Sequence, residues 1–176
     1  MAKRRGGGVA KKATVSQWYR VVGKNQETRE EVLPSRSGRF HEAMDTEPTT
    51  YVADTIETTW REVAAHLGAV PANPAAFRLY RVTVRKLRLA DLSDPGEQAR
   101  YLTTAEELAV DPPPPRCLEI ARTLRLAGYH GVLYLSVRNP PTGRCAAFFL
   151  EHAEGLITIE PVDEEWTQFM TQGSRR

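Results

Sequence analysis

Short runs with strand composition and short runs with helical period follow one another along this chain without strict strand–helix–strand alternation. That irregular order selects an α+β architecture over a doubly wound sheet. Val15 to Val22, carrying Trp18, Tyr19, Val21 and Val22, reads as a strand, and Thr49 to Ala53, rich in β-branched and aromatic residues, reads as another. Between them the polar stretch Gly23 to Ser37, interrupted by Pro34, predicts a long loop. Thr55 is placed to cap a helix whose apolar positions Ile56, Trp60, Val63 and Leu67 keep the 3.6-residue period, with Gly68 as its end. Phe77 to Leu89 has strand composition, but its apolar phase shifts between Leu79 and Tyr80 and again near Leu87, so a bulge or two separate pieces are expected.

The second half continues the pattern. Thr104 and Glu107 have capping-box spacing and open a short helix that Asp111 and the run Pro112-Pro113-Pro114-Pro115 stop. The proline run reads as a stiff surface turn, with docking of an SH3-like partner as the alternative. Cys117, Ile120, Ala121 and Leu124 form a helical stripe ended by Gly128. Val132 to Ser136 and Cys145 to Leu150 read as strands joined by the turn-rich Asn139 to Gly143. Leu156 to Ile159 predicts a further strand, and Glu164 to Met170 a closing amphipathic helix.

The 176 residues suit one domain, expected over 15–172, behind a basic flexible tail at 1–14. Charge is segregated. Seven of the 24 basic residues (Lys3, Arg4, Arg5, Lys11, Lys12, Arg175 and Arg176) sit at the two ends, leaving 17 against 22 acidic residues in the body. A body of that sign repels phosphate backbones, so nucleic-acid binding is expected only weakly, through residues 1–12. No apolar run approaches the roughly 18–20 residues of a membrane span. The basic start has no apolar stretch of a secretory signal behind it, so a cytoplasmic protein is expected, with export as an effector the alternative. Cys117 and Cys145 match no zinc spacing and are flanked by apolar residues, which predicts buried, inert thiols.

Several site chemistries lack their signatures. The phosphate loop G-x-x-x-x-G-K-[ST], the dinucleotide turn G-x-G-x-x-G, the metalloprotease H-E-x-x-H and the hydrolase elbow G-x-S-x-G do not occur, and His41, His66, His130 and His152 are scattered singly. A metal-dependent or serine-triad enzyme is not expected.

Four segments remain: Trp18-Tyr19-Arg20-Val21-Val22; Ser37-Gly38-Arg39-Phe40-His41; Thr50-Tyr51-Val52-Ala53 with Thr59-Trp60-Arg61-Glu62-Val63; and Gly131-Val132-Leu133-Tyr134-Leu135-Ser136-Val137-Arg138. In this order they resemble the RES domain family. Its pattern runs from a strand ending in arginine to a Gly-Arg-aromatic motif, then a tyrosine strand leading into a helix bearing Glu-Val, and later a strand ending in serine. The family's usual Gly-Gly-Arg-Trp-Asn stands here as Ser37-Gly38-Arg39-Phe40-His41. The resemblance implies an ADP-ribosyltransferase-like mixed sheet with flanking helices and a toxin that consumes NAD as substrate without metal. It also implies a cognate Xre-type antitoxin or immunity protein covering the cleft around Arg39 and Glu62. Carried over by motif, the catalytic residues are Glu62, Arg20 and Ser136, and the NAD-binding residues are Arg20, Arg39, Tyr51 and Ser136.

The residue types suit that chemistry. Guanidinium forks match the oxygens of a pyrophosphate, a role open to Arg20 and Arg39. Cleaving the nicotinamide–ribose bond develops oxocarbenium-like positive charge, which a carboxylate such as Glu62 can stabilise while orienting the acceptor. Tyr51 offers an aromatic face for the nicotinamide ring, and Ser136 a hydroxyl to fix the pose. Taken singly, each residue also fits an ordinary role: a surface ion pair, a solvated loop arginine, a core tyrosine, a solvated helix carboxylate, a strand-end serine. The leading expectation is NAD glycohydrolysis or phosphorolysis that arrests growth. Transfer of ADP-ribose to a protein, and a non-enzymatic interaction module, are the alternatives.

Overall fold

The computed structural model describes residues 15–35, 38–42, 47–68, 73–153 and 155–173. The expected basic tail at 1–14, Ser37 and the terminal Arg175 and Arg176 lie outside the described residues. The strands are β1 (Val15–Gly23), β2 (Thr49–Ala53), β3 (Phe77–Arg85), β4 (Leu89–Asp91), β5 (Gly131–Leu135), β6 (Arg144–Phe149) and β7 (Ile157–Pro161). The helices are α1 (Arg29–Val32), α2 (Ile56–His66), α3 (Pro95–Arg100), α4 (Ala105–Ala109), α5 (Pro115–Leu126), α6 (Leu150–Ala153) and α7 (Asp163–Gly173). Among the described residues the strands form one mixed sheet in the order β4-β5-β6-β2-β1-β3-β7. Only β4 and β5 run parallel. The α+β architecture expected from the irregular element order is the one observed.

The seams of this sheet are unequal. β1 and β3 pair antiparallel without a break from Val15↔Arg85 to Gly23↔Phe77. β2 pairs with β6 along its whole length, from Thr49↔Phe149 to Ala53↔Cys145. Between β1 and β2, in the middle of the sheet, a single pair joins the strands, Tyr19↔Ala53. The sheet therefore forks at its centre, with four strands on one side and three on the other.

Both faces are covered, which is why the strands read as nearly continuous apolar runs rather than clean alternations. On one half, Cys117, Ile120 and Leu124 of α5 pack with Leu108 of α4 onto Val132, Ala147 and Phe149. Beside them α2 and α7 bring Trp60 and Trp166 into edge contact at 5.2 Å, over Val21 and Leu79. The opposite face packs Trp18 edge-on to Phe148 at 5.9 Å, with Val82 and Val84. Phe148 is fully buried, so truncation to alanine would cost about 3–5 kcal/mol.

Most local expectations hold. Thr55 caps α2, accepting from the Thr58 N–H, and the turn at Gly68 takes φ +72°. The stripe of α5 is buried as read, and both cysteines are buried and unpaired. Phe77 to Leu89 resolves into β3 and β4, separated at Lys86 with φ +55°.

Three readings need correction. The stretch Gly23 to Ser37 is not all loop, because it contains α1. There the Glu31 carboxylate accepts from the Glu27 and Thr28 N–H groups, both at 3.0 Å, and these bonds hold its carboxyl below the usual range. Leu67 does not complete the apolar stripe of α2. It stands at the helix end, 53% exposed, and the fully covered residues of α2 are Thr58 and Thr59. The short α3, capped by Asp94 ahead of Pro95, was not anticipated.

Candidate active site

A cleft of about 920 Å³ opens where the sheet forks, and its lining includes Arg20, Arg39, Tyr51 and Glu62. The size lies within the range of small-molecule sites, about 300–1,000 Å³. Ser136 is buried and not part of the lining, but its bond to Glu62 brings all five residues singled out from the sequence to one place.

Glu62 is delivered by the polar side of α2. Thr58, one turn earlier, accepts from Asn139 Nδ2 at 2.8 Å, which pins the helix to the β5–β6 turn. Thr59 donates to the Thr55 carbonyl at 2.8 Å, as a helix threonine commonly does. With the helix so anchored, Glu62 Oε1 lies 2.5 Å from Ser136 Oγ. Ser136 Oγ already accepts from the Arg138 and Asn139 backbone N–H groups, at 3.2 and 3.1 Å, so its own proton points to Glu62. The Cys145 thiol is a second donor to the same oxygen, at 3.6 Å. Burial, and then the Glu62 carboxylate, push that thiol well above its ordinary value, which keeps it a neutral donor rather than a nucleophile. Both bonds fall on Oε1. Oε2 carries no protein hydrogen bond among the described residues.

Arg20 spans the fork. Its Nε donates to the Val32 carbonyl at 2.6 Å, Nη1 to the Tyr51 carbonyl at 2.7 Å and Nη2 to the Pro34 carbonyl at 3.2 Å. One guanidinium thus replaces the missing β1–β2 ladder, binding β2, the end of α1 and the segment after it. Burial lowers its pKa to about 10, still high enough to keep it charged at neutral pH. Three of its five N–H groups are committed to backbone, which leaves two for a ligand.

Tyr51 organises the loop that bears Arg39. Its hydroxyl accepts from the Phe40 N–H at 2.8 Å and lies 3.2 Å from His41 Nδ1. His41 Nε2 is 2.8 Å from the Ser35 carbonyl, which can only accept, so Nε2 carries a proton. In the neutral imidazole Nδ1 then accepts the Tyr51 proton. Burial raises the Tyr51 pKa, so the phenol stays protonated. The His41 ring stacks near Tyr51 at 5.7 Å, and Gly38 passes so close that a Cβ there would meet Tyr51 Cζ at 2.4 Å. Tyr51 is therefore a strut of the loop as well as part of the cleft lining.

At the rim, Arg39 Nη1 donates to the Val110 carbonyl at 3.0 Å, and Arg138 Nη2 donates to Asp111 Oδ2 at 2.6 Å. The segment after α4 thereby ties the glycine–arginine loop to the β5–β6 turn. Arg138 ends the segment Gly131 to Arg138, and its residue type alone assigns it no role. Its position two residues after the site serine was the available signal. Cys145, Thr58 and Asn139 gave none, because their contribution depends on which elements pack together.

The forked mixed sheet and the Glu62–Ser136 pair beside a cleft lined by arginines define an α+β domain with its candidate site at the fork. Residues 17–169 match the RES domain, and the chain belongs to that family. A comparison with curated proteins gives no match. Among solved structures, the fold is similar to a chain of the M. tuberculosis MbcT–MbcA toxin–antitoxin complex, with TM-score 0.68 over 88% of each chain at 16% identity. At that identity the likeness is one of fold. Among the described residues no helix is long and apolar enough to cross a membrane.

Proposed function

We propose that this chain is a toxin that depletes NAD by cleaving its nicotinamide–ribose bond. The observation that carries the reading is that Glu62, held by Ser136 at 2.5 Å, lines a cleft that Arg20 and Arg39 also line. Family membership supports it, as does the likeness in fold to a chain of a toxin–antitoxin complex. In this reaction the C1′–N bond breaks and its electron pair leaves with nicotinamide. An oxygen of water or phosphate forms the new bond to C1′ and releases its proton to solvent. Glu62, held by Ser136 and Cys145 through Oε1, presents Oε2 to the positive charge that develops on the ribose. The carboxylate is fixed before substrate arrives, so little reorganisation is needed at the moment of bond cleavage.

A toxin acting on NAD in the cytoplasm requires restraint, and we infer a protein partner that covers the cleft as its antitoxin. The test is incubation of the purified chain with NAD, with and without phosphate, and identification of the products. Release of nicotinamide with ADP-ribose indicates hydrolysis, and a phosphorylated ADP-ribose indicates phosphorolysis. Intact NAD in both arms would sink the reading.

A further inference from the structure

Two arginines of the cleft are held in opposite ways. Arg20 is locked to three backbone carbonyls. Arg138 is held by one ion pair to Asp111, with side chains 39% and 61% exposed. A pair that open to solvent contributes little to stability and is readily exchanged. Asp111 follows Val110, whose carbonyl receives Arg39, so consecutive residues of one rim segment hold two guanidiniums that line the cleft. Arg138 also follows Ser136 by two residues, and its backbone N–H is bonded to the serine that orients Glu62. A carboxylate offers a guanidinium the same kind of oxyanion acceptor as a phosphate does. Asp111 thus supplies an oxyanion acceptor to the Arg138 guanidinium at the rim of the cleft.

We propose that Arg138 is a substrate-recognition residue. Its guanidinium exchanges Asp111 for the diphosphate of a nucleoside diphosphate-containing substrate, beside Arg39, and Asp111 is the placeholder it leaves. The class of ligand rests on the proposed function, while the exchange itself rests on the rim geometry. A surface ion pair with a purely structural role would be insensitive to ligand. An exchanged pair makes Asp111 a competitor of the diphosphate, and only while Arg138 is present.

The test measures binding of ADP, and of adenosine as a control lacking the diphosphate, to the full chain by calorimetry at fixed ionic strength. Arg138→Gln should weaken ADP about tenfold or more and leave adenosine unchanged. Asp111→Asn should tighten ADP a few-fold, about twofold to fivefold, by removing the competing carboxylate. In the Arg138→Gln background the Asp111 substitution should have no effect. Unaltered ADP affinity in Arg138→Gln overturns the proposal. So does an Asp111→Asn effect that persists without Arg138, or a wild-type chain that binds no ADP. A wild-type chain that binds ADP through Arg138 yet leaves NAD intact supports the exchange and removes only the cleavage reading.

Discussion

The inner wall of the cleft and its rim are built on different principles. On the inner wall, Arg20 makes three backbone bonds, Ser136 accepts two N–H groups while donating to Glu62, and Tyr51 joins Phe40 to His41. At the rim, Arg39 and Arg138 are each tied to the Val110–Asp111 segment by one hydrogen bond. The contrast separates two tasks. Stabilising a charge that develops during reaction requires groups fixed in advance, because reorganisation adds to the barrier. Gripping a flexible, charged substrate benefits from side chains that are cheap to move. Loss of Arg20 from the wall should therefore register in stability measurements, and loss of a rim arginine in binding measurements.

The largest effect should come from Arg20→Ala. It strands the carbonyls of Val32, Tyr51 and Pro34 at a seam where a single strand pair remains. The bond to Pro34 is exposed, but the part-buried Val32 and Tyr51 carbonyls each cost about 1–3 kcal/mol when abandoned, so a loss of about 2 kcal/mol or more is expected in denaturant unfolding. A change under about 1 kcal/mol would show that the fork holds without its bridge and that wall and rim do not differ.

Glu62→Gln should leave unfolding nearly unchanged while nicotinamide release falls by about 100-fold or more. Ser136→Ala should fall less, since Cys145 remains as a donor to the same carboxylate oxygen. If the serine variant is the more damaged of the two, the carboxylate is not the group that meets the ribose.

Tyr51→Phe removes the acceptor of the Phe40 N–H and the partner of His41 Nδ1, freeing the loop that carries Arg39. About 1–2 kcal/mol of stability should go, with KM rising more than kcat falls. A pure kcat defect would place Tyr51 in the chemistry instead of under the loop.

The smallest effect serves as a control outside the cleft. His130 Nδ1 accepts the Arg88 N–H at 2.7 Å, and burial, then the charges of His152 and Arg88, push its pKa below the ordinary value. As pH falls below about 6.5 the unfolded chain takes up this proton before the folded one does. Its contribution is therefore fully present above that pH and is lost as pH falls through the folded value. Thermal melting from pH 7.5 to 5 should drop in wild type and drop less in His130→Gln. Equal slopes would assign the acid sensitivity elsewhere.

The elements were largely legible in the sequence because their signals are local. Thr55 and Gly68 marked the limits of α2, and the stripe of α5 was read from its period alone. Helix α1 was also within reach, since Thr28 and Glu31 have capping-box spacing, but the polar composition around them outweighed it. Leu67 misled because period describes which residues share a face and is silent on where the covering partner stops.

By itself the sequence determined the α+β class, the order of the main strands and longer helices, and through the ordered motifs the five residues that meet at the fork. Only the tertiary structure decided what each of them contacts. Glu62 lies off the apolar stripe of its helix, and whether that side meets solvent or a cleft depends on the turn at Asn139, far along the chain. Arg20 also bridges the fork, because strand pairing is reduced to one pair at a seam where its side chain can reach three carbonyls. Periodicity is a property of neighbours in the chain, whereas a fork in a sheet is a property of strands that fail to meet.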